Sequence, residues 1–377
     1  MAHRTFRPPE AAARGKERTV LAGVDTRKDS SLFDIEMHEL RALAEAAGAE
    51  VVAELVQRRA KADPASLLGL GKVEELKALL NESKATTVVT LNALRPRQRA
   101  ALESALGDVK VLDRSVLILD IFAAHARTSE GKLQVEMAQL RHRVANLIGG
   151  SDRLSRLGGG IGTRGPGETK LEVDRRRMRL RISRLTRELD QVRVRRREQR
   201  RGRAETPVVA LVGYTNAGKS SLLNALSGAH VYVADQPFAT LDPTLRKTRL
   251  VSGVDVILAD TVGFITDLPK ELMAAFRATL DEVTSAALLL HVIDASNPDR
   301  SRQQASVETV LAQLGADTLP SIEVWNKIDA VSQPDSQVLV DSPGVTVSAK
   351  TGAGVGALKS VIAERLRSLS VPLSSGA

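Results

Sequence analysis

One loop motif limits the possible folds of this chain more than any other feature. Residues 213–220 read Gly-Tyr-Thr-Asn-Ala-Gly-Lys-Ser and fit the pattern G-x-x-x-x-G-K-[ST]. The sequence predicts an apolar strand just before the motif, over 207–212, and a helix just after it, over 221–226. In such a loop the backbone amides face phosphate groups, the lysine reaches the β- and γ-phosphates, and the hydroxyl ligates Mg²⁺. The motif therefore predicts a doubly wound α/β domain that binds a nucleoside triphosphate.

Three shorter motifs follow, each directly after a predicted apolar strand. They read Asp-Thr-Val-Gly, Asn-Lys-Ile-Asp and Ser-Ala-Lys, and they occupy 260–263, 326–329 and 348–350. The strands before these motifs are predicted over 254–259, 322–325 and 345–347, and a further apolar strand is predicted over 287–293. Because ligands of open α/β sheets bind outside the carboxyl ends of the strands, all of these motifs should converge on one site.

Each motif has a chemical role at such a site. Asp260 should reach Mg²⁺ through a water molecule, and the amide of Gly263 should donate to the γ-phosphate. Asp329 can accept from the N1–H and the exocyclic amine of guanine, a donor pair that adenine lacks, so GTP should be preferred over ATP. Asn326 should bond the base and the loop, with the stem of Lys327 along the ring. A backbone amide of the last motif can meet the carbonyl oxygen of the base.

The segment 238–244, which we call the first switch, supplies two threonines between the phosphate loop and Asp260. One should ligate Mg²⁺ only while the γ-phosphate is present, and we prefer Thr240 over Thr244. The predicted metal ligands are therefore Ser220 and Thr240, and the predicted catalytic residues are Lys219, Thr240 and Gly263. The predicted nucleotide contacts are Gly213, Tyr214, Thr215, Asn216, Ala217, Gly218, Lys219, Ser220, Ser221, Phe238, Ala239, Thr240, Leu241, Asp242, Asp260, Thr261, Val262, Gly263, Asn326, Lys327, Ile328, Asp329, Ser348, Ala349 and Lys350.

The residue after Gly263 is an apolar one, Phe264, followed by Ile265. A glutamine at this position would orient the attacking water, and an apolar side chain cannot. The sequence therefore predicts slow intrinsic hydrolysis, completed either by a partner or by a bound cation. Asn216 could help to hold a monovalent ion such as K⁺ near the phosphates, or it could only brace the loop.

The positive charge of the chain is concentrated in one stretch. The formal net charge is +9, yet 175–203 alone holds fourteen arginines against three acidic residues. A helix facing a polyanion explains this density better than a merely solvated face, because like charges repel one another unless something neutralises them. Aromatic residues make up only 2% of the chain, so RNA contacts should run through cations and backbone amides rather than through stacking.

Two heptad patterns of apolar residues flank a glycine-rich loop over 149–170. Their spacing of four and three residues predicts an antiparallel helical hairpin, and separate packing of the helices on a globular core is the alternative. The loop exposes backbone amides and carries positively charged side chains. These features are more typical of a tip that enters an RNA surface than of a flexible linker. The first pattern is Leu133, Met137, Leu140, Val144 and Leu147, and the second is Met178, Ile182, Leu185, Leu189 and Val192. The predicted RNA contacts are Arg153, Arg156, Gly159, Gly160, Arg164 and Lys170.

The first 128 residues alternate apolar strands with amphipathic helices, which predicts a small parallel α/β domain. Gly69, Leu70, Gly71 and Lys72 open a helix there. They could hold a phosphate, but a plain helix start is the favoured interpretation. Strands are predicted over 20–24, 51–56, 87–91 and 109–112, and helices over 32–47, 72–80, 96–106 and 115–125.

Composition excludes several classes of protein. The chain has no cysteine, so disulfide frameworks, thiol nucleophiles and cysteine-ligated metals are excluded. The amino terminus lacks the apolar region of a secretory signal, and no apolar run is long enough to span a membrane. These observations predict a cytoplasmic protein.

These residues together resemble the HflX group of translation-factor-type GTPases. The likeness includes Phe-Ala-Thr-Leu-Asp and Asp-Thr-Val-Gly-Phe, extends upstream through 121–126, 130–134 and 158–168, and covers residues 15–370. The resemblance implies a GTPase that binds the large (50S) ribosomal subunit and its rRNA, inserts the glycine-rich loop near the peptidyl-transferase centre and splits or rescues stalled ribosomes. It also implies an N-terminal domain that binds or hydrolyses ATP. At 140–144 the chain reads Leu-Arg-His-Arg-Val, where the group is usually more aromatic.

The expected organisation is an N-terminal α/β domain over 15–128, a helical hairpin over 129–205, a G domain over 206–371 and a tail over 372–377. A helix predicted over 355–369 lies near the end of the chain, so we expect no further C-terminal domain of the kind some members carry. Two other functions stay open: a passive RNA-binding or subunit-assembly scaffold with GTP as a structural ligand, and an ATP-driven RNA remodeller run by residues 1–128.

Overall fold

The structure, a computed structural model, separates into two compact units. Unit 1 comprises Met1–Ile121 and Ala145–Gly167, and unit 2 comprises Phe122–Val144 and Glu168–Ala377. The residues it describes are 16–27, 30–147, 170–201, 206–228, 237–238, 240, 244–250, 253–269, 272–273, 280–331 and 344–369. The glycine-rich loop, and with it the predicted RNA contacts Arg153, Arg156, Gly159, Gly160 and Arg164, lies outside them, as does the side chain of Lys170.

Unit 1 is built on a four-stranded parallel sheet in the order β2-β1-β3-β4. The apolar positions of the strands face inward onto helices, as the alternation of strands and helices predicts. Val20, Leu76 and Leu102 lie in the core between the sheet and two of the helices, and each is fully buried. The elements are β1 Glu17–Asp25, α1 Ser31–Ala46, β2 Ala49–Arg58, α2 Leu70–Ser83, β3 Thr87–Thr90, α3 Pro96–Leu106, β4 Lys110–Asp113 and α4 Arg114–His125, of which the residues from Phe122 onward belong to unit 2.

Unit 2 contains a six-stranded sheet in the order β10-β9-β8-β5-β7-β6, in which only β6 runs antiparallel to its neighbour. Its core joins the central strands to helices on the sheet, through residues such as Leu211, Leu222 and Ile362. This confirms the predicted α/β class. The elements of the unit are β5 Val208–Gly213, α7 Lys219–Ser227, β6 Thr244–Arg249, β7 Asp255–Asp260, α8 Asp281–Thr284, β8 Leu288–Asp294, α9 Arg300–Leu314, β9 Ser321–Asn326, β10 Val345–Thr346 and α10 Val355–Ser368, with a 3₁₀ turn at Ile328–Ala330.

Two long helices precede this sheet in the chain, α5 Ser129–Leu147 and α6 Lys170–Arg201. The Arg181 guanidinium donates to both carboxylate oxygens of Glu136, at 2.7 and 2.8 Å, which ties the helices together. Of the heptad pattern predicted on α6, Leu185 and Leu189 are buried, and Met178, Ile182 and Val192 are half-buried.

The heptad pattern on α5 is wrong in detail. Met137 is buried, but Leu133 and Leu140 are only half-buried, while Gln134 and Ala138 between them are fully buried. A coiled-coil seam is narrow because it meets a single partner helix. Burial of α5 extends around a wider face, as expected for a helix that packs on more than one neighbour.

No helix among the described residues has the length and apolar character needed to cross a membrane.

Candidate nucleotide-binding site

The predicted nucleotide motifs meet at one edge of the unit 2 sheet. Strands β5, β7, β9 and β10 all carry their motifs at their carboxyl ends, around a cavity of about 450 Å³. The residues that line the cavity come from every motif, and they are Thr215, Asn216, Gly218, Lys219, Ser220, Ser221, Phe238, Thr240, Thr261, Gly263, Asn326, Lys327, Asp329, Ala330, Ala349 and Lys350.

The phosphate loop passes directly from β5 into α7, so the first turn of the helix lies at the cavity. Gly218 adopts a φ of +90°, and a Cβ there would lie 2.3 Å from the amide nitrogen of Asn326. Any other side chain at Gly218 would push Asn326 away, because both the backbone conformation and the space require glycine. The close approach of the Asn-Lys-Ile-Asp motif therefore explains why the second fixed position of the phosphate-loop pattern, Gly218, must be glycine.

Lys219 is buried, with only 6% of its surface exposed, and its ammonium group points back into the loop. Its Nζ donates to the carbonyl oxygens of Gly213, at 3.1 Å, and Tyr214, at 2.8 Å. Burial lowers the pKa of Lys219 to about 8, against the opposing attraction of the Asp260 carboxylate. A phosphate beside the ammonium group would favour its charged form. The loop therefore places a buried lysine where an anionic ligand would stabilise its positive charge.

Three oxygen-bearing side chains meet next to this lysine. The Ser220 hydroxyl donates to Oδ2 of Asp260 at 2.6 Å, and Oγ1 of Thr240 lies 2.8 Å from Oγ of Ser220 and 3.1 Å from the same carboxylate oxygen. Asp260 is fully buried, and its Oδ1 has no hydrogen-bond partner among the described residues. Burial raises the pKa of Asp260, and Lys219 partly opposes this shift. Hard oxygen donors around an unsatisfied buried carboxylate fit Mg²⁺.

Hydrogen bonds within the protein hold the motif that is predicted to recognise the base. The Asn326 amide donates to the carbonyl of Ala217 at 2.9 Å and accepts from the backbone N–H of Ala349 at 3.0 Å. The Ser348 hydroxyl donates to Oδ1 of Asp329 at 2.6 Å. These bonds orient the Asp329 carboxylate at the cavity wall, where a guanine base can present its two donors.

Comparison with known proteins agrees with this geometry. Family models described as GTP-binding GTPase N-terminal, GTP-binding GTPase Middle Region and 50S ribosome-binding GTPase match residues 34–123, 125–203 and 208–327. The GTPase HflX of Caldanaerobacter subterraneus subsp. tengcongensis is 49% identical over 359 residues, which is 95% of this chain and 82% of the relative. The GTPase HflX of Escherichia coli K12 is 44% identical over 356 residues, 93% of this chain and 83% of the relative. The chain belongs to the HflX family of GTPases.

A solved structure shares the fold of this HflX-family chain. The crystal structure of SsGBP in complex with GDP covers 94% of this chain and 99% of that chain, with 24% sequence identity and a TM-score of 0.51. At this level of identity the likeness concerns the fold alone.

One residue of this HflX-family site belongs to none of the sequence motifs. Asp294, at the end of β8, pairs with Nζ of Lys327 at 2.8 Å. Lys327 itself has a φ of +63°, in the left-handed region. The ion pair holds the lysine stem along the wall of the cavity. An acidic residue at the end of a central strand between two motifs is the signal that could have indicated Asp294.

The segment after β7, which we call the second switch (260–268), packs tightly against the phosphate loop. The backbone N–H of Thr215 donates to the carbonyl of Phe264 at 2.7 Å, and a Cβ on Gly263 would lie 2.8 Å from the Cα of Thr215. The Phe264 side chain is buried, with 1% exposed, and does not line the nucleotide cavity. It therefore supplies no polar group at the phosphates.

Not every predicted contact of this HflX-family chain lies at the cavity. Ala239, Leu241 and Asp242 lie outside the described residues. The remaining predicted contacts that do not line the cavity are Gly213, Tyr214, Ala217, Asp260, Val262, Ile328 and Ser348, and the unpredicted Ala330 does line it. Several of these brace cavity residues from behind, as the carbonyl of Ala217 does for Asn326.

The candidate phosphate loop of unit 1 has protein partners of its own. The Lys72 ammonium group donates to both carboxylate oxygens of Glu75 at 2.8 Å, and the N–H of Gly69 donates to the side chain of Gln57 at 2.9 Å. These contacts favour the interpretation of 69–72 as a plain helix start.

Proposed function

We propose that this chain is a GTP-driven switch that acts on the large ribosomal subunit. As a member of the HflX family it is a GTPase, and the proposal concerns how its residues carry out that activity and on what partner. The observation that carries the nucleotide part is the meeting of Ser220, Thr240 and Asp260 at the end of the phosphate loop. These three side chains bring the phosphate loop, the first switch and the carboxyl end of strand β7 together at one point.

The residues divide the work by chemistry. The backbone of 213–221 and the ammonium group of Lys219 bind the phosphates. Ser220 and Thr240 would hold Mg²⁺, with Asp260 behind them, and the ion when bound would neutralise charge on the phosphate oxygens. The N–H of Gly263 donates to the γ-phosphate, and Asp329 accepts from guanine. Loss of the γ-phosphate would release Thr240 and Gly263 and so change the conformation of both switches.

Hydrolysis needs one more group to orient water, because the buried Phe264 offers none. We propose that the ribosome supplies or positions it. The alternative source is a K⁺ ion near Asn216, which lines the cavity with a φ of +61°. The ribosomal source predicts slow hydrolysis by the isolated chain in any buffer, and the cation source predicts slow hydrolysis only without K⁺.

The ribosomal part of the proposal rests on charge. The family model that matches 208–327 is described as a 50S ribosome-binding GTPase. On α6 most of the arginines with described side chains are exposed, and a helix face of this density suits the phosphates of rRNA. The tip residues Arg153, Arg156, Gly159, Gly160, Arg164 and Lys170 would extend this contact toward the peptidyl-transferase centre of a stalled ribosome. A cytoplasmic location follows from that partner.

Rates of GTP hydrolysis test the proposal, measured for the chain alone and with purified large subunits, in potassium and in sodium buffer. A large rise with subunits in both buffers supports a ribosome-completed site. A rise with potassium alone would assign the missing group to the cation. No rise in any condition would contradict the switch and favour a scaffold that holds GTP as a structural ligand.

A further inference from the structure

Phe122 packs on the first switch beside the nucleotide cavity, although none of the nucleotide-binding motifs includes it. It lies near the end of α4, belongs to unit 2, and has only 1% of its surface exposed. Its ring centroid lies 4.6 Å from that of Phe238 in the first switch, with the two ring planes inclined at 49°. This centroid distance lies within the range of interacting aromatic pairs.

The partner ring sits on a strained backbone. Phe238 has a φ of +59°, in the left-handed region that a bulky residue rarely adopts. Such a conformation persists only where the surroundings impose it. Two contacts impose it here: the N–H of Phe238 donates to Oγ1 of Thr215 in the phosphate loop at 3.0 Å, and the ring packs on Phe122. Two residues later, Thr240 reaches Ser220 and Asp260.

Phe122 also lies beside residues of the second switch. It lines a narrow apolar cleft together with Val262, Phe264, Leu268, Leu272 and Leu280. Phe264 is in turn joined to the phosphate loop by backbone hydrogen bonds, from the Thr215 N–H to its carbonyl and from its own N–H to Gly213. One side chain thus packs on the first switch and lines a cleft with residues of the second, and these are the two segments whose positions depend on the γ-phosphate in the proposed function.

We propose that Phe122 is a positioning residue that holds the two switches in the conformation that accepts the γ-phosphate; this inference rests on the proposed nucleotide function. Without the ring, Phe238 loses one of its two restraints and relaxes to an ordinary backbone conformation. Thr240 then moves away from Ser220, and Gly263 loses support behind it. GDP needs neither Thr240 nor Gly263, so the effect falls on the triphosphate state alone.

The test compares the affinities of Phe122→Ala and the unaltered chain for GDP and for a non-hydrolysable GTP analogue. We expect the ratio of GTP-analogue to GDP affinity to fall about tenfold, within the usual range of coupling between sites. Phe122→Leu keeps apolar volume in the cleft and should show a smaller shift in the same direction. It also keeps the test decisive if the alanine variant does not fold.

The matched control is Phe33→Ala. Phe33 is a buried phenylalanine of unit 1 with 2% exposed, so its loss lowers stability without touching the switches. We expect its affinity ratio to equal that of the unaltered chain. The inference is overturned if the Phe122 variants leave the ratio unchanged, or if they lower both affinities equally. If the unaltered chain binds neither nucleotide, the proposed function itself fails, and the two failures are thereby distinguished.

Discussion

The two sheets of this chain end their parallel strands in contrasting ways. In unit 1 the strand ends are closed by the protein's own side chains: the Asn92 amide accepts from the N–H of Val24 at 2.7 Å and donates to its carbonyl at 3.0 Å. Asp113 accepts from the backbone N–H groups of Leu94 and Val116 and from Arg99. In unit 2 the corresponding edge opens on a cavity.

The groups at the open edge are left incompletely satisfied. Oδ1 of Asp260 is buried without a partner among the described residues, and burial holds the pKa of Lys219 at about 8. A buried polar group without a partner raises the free energy of the unliganded protein, and a ligand that satisfies it recovers that free energy on binding. The same type of sheet therefore has hydrogen-bonded strand ends in unit 1 and a candidate ligand site in unit 2.

The largest expected effect is a difference in GTP affinity between substitutions of two lysines, one in the first turn of α7 and one in the first turn of α2. Lys219→Ala should lower GTP affinity by about 100-fold, because it removes a charged hydrogen-bond donor from the phosphates. Lys72→Ala is the matched control and should leave GTP affinity unchanged, since Lys72 pairs with Glu75. Titration calorimetry measures both. ATP turnover that is present in the unaltered chain and abolished by Lys72→Ala would break the comparison.

The second effect is on the stability of unit 1. Asn92→Ala removes both hydrogen bonds to Val24 and should lower the free energy of unfolding by about 1–3 kcal/mol, with GTP affinity unchanged. Asn81→Ala, an exposed substitution on α2, should change stability little. Denaturant titration with and without nucleotide measures both variants. A fall in GTP affinity for Asn92→Ala would contradict the assignment of separate roles to the two edges.

The third effect is a pH dependence of nucleotide binding. With a pKa of about 8, Lys219 of the free protein loses its proton as pH rises through 8, whereas bound phosphate favours the charged form. GDP affinity should therefore fall by about tenfold between pH 7 and pH 9. Lys219→Arg keeps its charge over this range and should show a shallower fall. Equal slopes for the two proteins would show that Lys219 does not titrate here.

The smallest effect lies at the outer edge of the unit 2 sheet, away from the cavity. Arg249 and Lys247 of β6 hold the pKa of Asp255 at about 2, below its usual value. The stabilisation is therefore complete above the unfolded pKa near 4 and is lost as pH falls toward 2. Asp255→Asn should be slightly less stable at neutral pH and should lose less stability on acidification. Thermal unfolding between pH 5 and pH 2 measures this difference.

Strands and helices with clear apolar patterns were predictable from the sequence. The helix predicted over 96–106 has those bounds in the structure, and β1 extends the predicted 20–24 at both ends. Three elements of unit 2 were not predicted, the strand β6, the single-turn helix α8 and the helix α9. Strand β6 reads Thr-Leu-Arg-Lys-Thr-Arg, and as a half-exposed edge strand it carries no apolar signal. Helix α9 has only three buried residues in fifteen, so its periodicity is weak.

The nucleotide site was predictable to the extent that its chemistry is local. A motif encodes its own loop and its own donors, which is why Ser220 and Asp329 could be found without a structure. Contacts between distant segments carry no such local pattern. The Asp294–Lys327 pair, the Phe122–Phe238 contact and the left-handed backbone of Phe238 all depend on how the chain packs.

The central claim is that GTP is read at the open edge of the unit 2 sheet by the Asp329 carboxylate, and one measurement tests it directly. The affinities of Asp329→Asn and the unaltered chain for GTP and for xanthosine triphosphate are compared by titration. Xanthine presents an oxygen where guanine presents its amine, so an amide at this position should pair with it. We expect preference to shift from GTP toward xanthosine triphosphate by at least about tenfold, the scale of a charged hydrogen bond. An unchanged preference for GTP in Asp329→Asn would contradict the account.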